Sequence, residues 1–96
     1  MCFASAGWPP PRSVKFKMFS RIALAEDLPE ENLRRGDIAV VVEYYEGRPD
    51  QEPGYELEVF NAVGKTIAVV TVRESQIESL RGDEMLCVRP REPVAA

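Results

Sequence analysis

Ile38-Ala39-Val40-Val41-Val42-Glu43-Tyr44-Tyr45 is the stretch that decides the fold. Branched and aromatic side chains of this kind suit a pleated strand, and the run is too short and too β-branched for a helix. Lys65-Thr66-Ile67-Ala68-Val69-Val70-Thr71-Val72 repeats the pattern. Between them, residues 55–60 alternate, with Tyr55, Leu57 and Val59 inward and Glu56 and Glu58 outward. Asn61-Ala62-Val63-Gly64 joins the last two strands as a hairpin with glycine in the left-handed position.

Working outward, residues 19–25 form a weaker first strand, with Ile22 and Leu24 on one side. Residues 26–37 are a loop, in which Asp27 and Glu30 have the spacing to cap one helical turn. Asn32 and Gly36 suit left-handed backbone there, and Leu28 and Leu33 tuck beneath. The polar stretch 46–54, with Pro49 and Pro53, reads as a loop that cannot pair regularly. Ser75 and Glu78 predict a short helical turn near 75–80, and Met85-Leu86-Cys87-Val88 is a candidate last strand before Pro90. The expected fold is all-β, four to five antiparallel strands in a small barrel or sharply curled sheet.

The chain divides into a 1–17 arm, an 18–89 barrel domain and a 90–96 tail. Trp8-Pro9-Pro10-Pro11 favours an extended arm, and Met18 opens the regular pattern as a candidate natural start. No apolar run reaches the roughly 18 residues of a membrane helix. Cys2 and Cys87 leave a disulfide open, but two free thiols in a reducing cytoplasm is the preferred reading. The formal net charge of −4 is unevenly spread: residues 18–80 hold thirteen acidic and six basic side chains, and residues 1–17 carry three basic ones. Such a surface repels nucleic acid.

An antiparallel strand with one wet face alternates, and residues 38–42 and 67–72 do not. Ile38, Val40, Val42, Ile67 and Val69 stand on one face, and Ala39, Val41, Ala68, Val70 and Val72 on the other. A small barrel has one interior, so the second face needs a cover. The N-terminal arm, the C-terminal patch and another copy of the chain are the candidates. The sequence predicts a homo-oligomer through Trp8, Ala39, Val41, Tyr45, Phe60, Ala68, Val70 and Val72. A bulge near Ala39 would exchange inside and outside within that strand.

Histidine is absent, which removes the commonest general base and metal ligand. No serine has a partner that would activate it, and the glycines make no phosphate cradle. The acidic cluster Glu26, Asp27, Glu30 and Glu31 lacks the alternating oxygen ligands of a calcium loop. The expectation is therefore no enzyme, no cofactor and no metal. Tyr44 and Tyr55 mark a candidate ligand site at the barrel mouth.

Several segments together carry a family resemblance: Leu24-Ala25-Glu26-Asp27-Leu28-Pro29, Leu33-Arg34-Arg35-Gly36-Asp37, Val41-Val42-Glu43, Tyr55-Glu56-Leu57-Glu58-Val59, Gly64-Lys65-Thr66 and Val70-Thr71-Val72. Over about residues 19–80 the chain resembles a family of short bacterial proteins described only as a domain of unknown function. That resemblance implies an SH3-like barrel, a mobile-element or defence-related gene context, and a protein partner such as a toxin. It carries over no catalytic residues. Where members often have a glycine two residues after Gly-Asp, this chain has Ala39.

Overall fold

The computed structural model describes residues 15–91. Five antiparallel strands form one sheet: β1 (Arg21–Leu24), β2 (Ile38–Tyr45), β3 (Gly54–Phe60), β4 (Thr66–Arg73) and β5 (Ile77–Ser79). The spatial order is β4-β3-β2-β1-β5, so four strands meander and β5 returns to pair with β1. Two single 3-10 turns, Pro29–Glu31 and Glu74–Gln76, accompany the sheet. The fold is all-β, as the sequence predicts, and the turn leading directly into β5 fits the small SH3-like barrel.

The alternation of β3 decides which side is the interior. Residues directly opposite one another share a face. Val41 faces Leu57 and Tyr44 faces Tyr55 across β2–β3. Across β3–β4, Tyr55, Leu57 and Val59 face Val72, Val70 and Ala68. Ile22 opposite Ala39 and Leu24 opposite Ile77 complete the set from β1, β2 and β5. Val41, Tyr55 and Leu57 have no exposed surface, and Ala39, Val70 and Val72 are buried beside them. The interior is therefore the face that the sequence reading assigned to an external interface. Its pairing with β3 settles this, together with a register shift between Val41 and Glu43 that leaves Val42 as a bulge.

Three local expectations change. The 75–80 turn is confined to Glu74–Gln76, where the Gln76 carboxamide accepts the Arg73 N–H at 2.8 Å. Burial of Ile77 opposite Leu24 then draws the chain back into the sheet. Because those residues close the sheet, Met85–Val88 is not a strand. Asp27 does not cap the first 3-10 turn; its carboxylate accepts the Arg35 N–H at 2.9 Å. Asn32 (φ 59°) and Gly36 (φ 92°) take the left-handed conformations that the loop requires.

Residues 46–53 are pinned rather than loose. Arg48 and Gln51 exchange backbone hydrogen bonds at 2.7 and 3.0 Å. Glu52 accepts the Ser75 N–H at 2.8 Å and its hydroxyl at 2.9 Å. This closure leaves no room at Gly47, where a Cβ would lie 2.7 Å from the Gln51 carbonyl oxygen and 2.8 Å from the Pro53 nitrogen. Both are backbone atoms, so Gly47→Ala should cost about 1–3 kcal/mol, read as a lower urea midpoint at unchanged slope.

The 1–17 boundary also moves. Phe16 is 3% exposed and belongs to the core. The chain reverses at Lys17–Ser20, with Phe19 held at φ 63°, an uncommon conformation for a bulky residue. The reversal returns Phe16 over Tyr55, edge to face, with ring centroids 5.4 Å apart. Trp8 lies outside the described residues.

Candidate functional site

Among the described residues no helix is long and apolar enough to cross a membrane, and no three metal-ligating side chains are grouped together. What the sheet offers are its mouth, its outer face and a groove.

At the mouth, Tyr44 and Tyr55 do come together, with ring centroids 5.2 Å apart. Tyr55 is fully buried, and Phe16 stands over it. The Tyr55 hydroxyl donates to a Glu74 carboxylate oxygen at 3.1 Å and accepts the Phe16 N–H at 3.4 Å. Burial, reinforced by the Glu74 carboxylate, pushes its pKa up to about 12, against the opposing Phe16 N–H. The neutral phenol is thus favoured by folding. That contribution is complete below the ordinary value of 10 and fades as pH rises toward 12. Phe16, Tyr55 and Tyr44 thus form one run of ring contacts at the mouth.

The outer face of β2–β4 is acidic and hydrogen-bonded. Glu43 lies opposite Glu56. The Tyr45 hydroxyl donates to Glu56 at 2.6 Å, and the Thr66 hydroxyl donates to Glu58 at 2.6 Å. The bond to Glu56, then slight burial and the charges of Glu56 and Glu43, hold the Tyr45 hydroxyl above its ordinary pKa. Like charges directly opposite across a sheet destabilise it. Protonated hydroxyls beside the carboxylates disperse that charge. Phosphate would be repelled here.

The groove lies where β1 and β2 turn their outer face toward residues 80–91. Arg21, Ala23, Ile38 and Val40 share that face by register, opposite the buried set. After β5 the chain runs back as an irregular strap. Arg89 anchors it: Nε donates to Asp37 Oδ1 at 2.9 Å, and the second nitrogen bonds Oδ2 of the same carboxylate. Arg91 donates to the backbone carbonyls of Asn32 and Glu31 at 3.3 and 3.1 Å. Between strap and sheet is an open groove of about 760 Å³, with Ile38, Val40, Phe60, Ile67, Leu86 and Val88 among its lining.

Asp37 is the fixed point of this arrangement. Burial raises its pKa, but the Arg89 hydrogen bond and charge, with the Arg34 N–H at 2.8 Å, outweigh it and hold the carboxyl below 3.8. A depressed carboxylate stabilises above its ordinary pKa and loses that contribution as pH falls through the folded value. Strap anchoring is thus present at neutral pH and is lost only as pH falls through the depressed Asp37 value, below the ordinary carboxylate range. Asp37→Asn should raise amide exchange across residues 84–91 by about tenfold at neutral pH while β2–β4 keep their protection.

The predicted interface residues are dispersed. Ala39, Val41, Val70 and Val72 lie in the chain's own core, and Ala68 packs half-buried against it. Tyr45 and Phe60 are 45% and 38% exposed, and only Phe60 reaches the groove. Sequence reasoning missed Asp37, Arg89 and Arg91, because their pairing spans more than fifty residues of chain. The complementary charges of the loop and the tail were the only available signal.

No curated protein and no solved structure matches the chain. Residues 18–79 match the model of a family described as a domain of unknown function, DUF4926. The match takes in all five strands and one wall of the groove, while Phe16 and the strap lie outside it. The chain belongs to the DUF4926 family.

Proposed function

We propose that this chain is a non-enzymatic, self-associating protein-interaction module of the bacterial cytoplasm, acting as the antitoxin-like or mobile-element accessory member of a pair. The observation that carries the reading is the incompletely covered second face of the sheet. Ile38 and Val40 remain half-buried and Val69 is 54% exposed, although the opposite face already builds the core. Apolar surface left on a domain this small is the kind that marks a protein contact.

Two other barrel functions fit less well. A small-ligand site at Tyr44 and Tyr55 has to displace Phe16. A nucleic-acid site has to overcome Glu43, Glu56 and Glu58 on the outer face of β2 and β3. The test is co-expression with the product of the adjacent gene, followed by size exclusion with light scattering. A stable complex that also relieves toxicity of that product is expected. Separate elution with no relief would remove the antitoxin-like role, and saturable retention of a metabolite would favour the ligand reading.

A further inference from the structure

We infer that the groove and the strap together form one isologous interface that takes a second copy of this chain. The inference rests on the self-association proposed above and gives it a surface.

The strap is held by charge and leaves its apolar side chains outside. Arg89 and Arg91 fix its end to Asp37 and to the carbonyls of Glu31 and Asn32. Yet Met85, Leu86 and Val88 are 91%, 57% and 85% exposed. A segment serving only as a lid would turn those groups down onto Ile38, Val40, Phe60 and Ile67, where burial is worth roughly 1.5–3 kcal/mol for each large side chain. Instead Met85, Leu86 and Val88 stand as an exposed apolar rim beside the hollow that they help to line. A surface carrying both is self-complementary about a two-fold axis: the strap of each copy enters the groove of the other.

Charge fits a second copy in the groove. Its charged lining is Arg21, Arg89 and Arg91 against Asp37, Glu78 and Glu84, three of each sign, whereas the whole chain carries −4. Two acidic molecules that repel through most of their surface can meet here without that penalty. A basic partner would instead be drawn to Glu43, Glu56 and Glu58.

Sedimentation and light scattering on the full chain, over micromolar to hundreds of micromolar, test the proposal. Wild type is expected to reach twice its 10.8 kDa mass. Val40→Asp in the groove wall and Val88→Asp on the strap should each raise the dimer dissociation constant by about a hundredfold or more. Val88 lies outside every strand, so its variant keeps the fold even if Val40→Asp does not. Gln51→Asp, in the loop at the ends of β2 and β3 opposite the groove, changes an exposed residue and should dimerise normally. A monomeric wild type overturns both this interface and the self-association. A dimer that survives Val40→Asp and Val88→Asp overturns the interface and leaves self-association standing.

Discussion

Val41→Asp is expected to leave the chain unfolded at 25 °C, while Val40→Asp, one residue earlier on the same strand, is expected to leave it folded. Val41 has no exposed surface and sits opposite Leu57 in the middle of the sheet. A carboxylate there has no charged partner and no water, and all surrounding side chains are apolar. The cost exceeds about 4–5 kcal/mol whether the group stays charged or is forced neutral. A small domain has only about 5–15 kcal/mol to lose. Val40 is half-buried on the outer face, opposite Arg21 on one side and Glu58 on the other. Aspartate there keeps access to water and to the Arg21 guanidinium, which offsets part of the repulsion from Glu58, so the expected cost is about 1–2 kcal/mol. Circular dichroism and urea melts of the two variants measure the difference.

Phe16→Ala is expected to cost about 3–5 kcal/mol, the range for truncating a buried aromatic ring. The loss combines its apolar burial with the edge-to-face contact to Tyr55. It should exceed the loss from Tyr55→Phe, which removes the hydroxyl's bonds to Glu74 and to the Phe16 N–H but keeps the ring, at about 1–2 kcal/mol. Phe16 lies before the family segment, so the variant also measures how far the barrel depends on residues outside residues 18–79. Loss of Phe16 also removes the reason to hold Phe19 at positive φ. Amide exchange at residues 17–20 should therefore rise with the fall in stability.

The strands were legible in the sequence because their signals are local. β-Branched runs mark β2 and β4, alternation marks β3, and Asn61 to Gly64 mark the hairpin, where Gly64 adopts φ 90°. The loop with Asn32 and Gly36 was legible for the same reason. The face assignment was not, since β2 and β4 are apolar on both sides and a strand read alone has no inside. The information lay in β3, whose alternation fixes the faces of both neighbours once the register is known. For β4 a register shift beside the hairpin hides it: Phe60 pairs with Thr66 but Val59 with Ala68, so Ile67 is left over and uninterrupted pairing outward from residues 61–64 would have placed Ala68 opposite Glu58. For β2 the bulge at Val42 intervenes, and no composition rule gives its place.

The groove was half legible. An unmatched apolar face that needed a cover could be read from the pattern, and the C-terminal patch was one of the covers considered. That the patch approaches the face, is anchored by Arg89 on Asp37 and still leaves Met85 and Val88 outside depends on long-range pairing. Phe16 escaped because its neighbours are basic and proline-rich. One aromatic residue in such a stretch carries no periodicity.

The most direct test of the two-faced strand is thiol modification of Val40→Cys and Val41→Cys, each made with Cys2 and Cys87 replaced by serine, across a range of protein concentrations. The Val40→Cys thiol should react readily in dilute protein and become protected as concentration rises through dimerisation, while the Val41→Cys thiol stays protected throughout. A reactive Val41→Cys in folded protein contradicts the face assignment, and a Val40→Cys rate independent of concentration contradicts the docking of a second copy on the outer face.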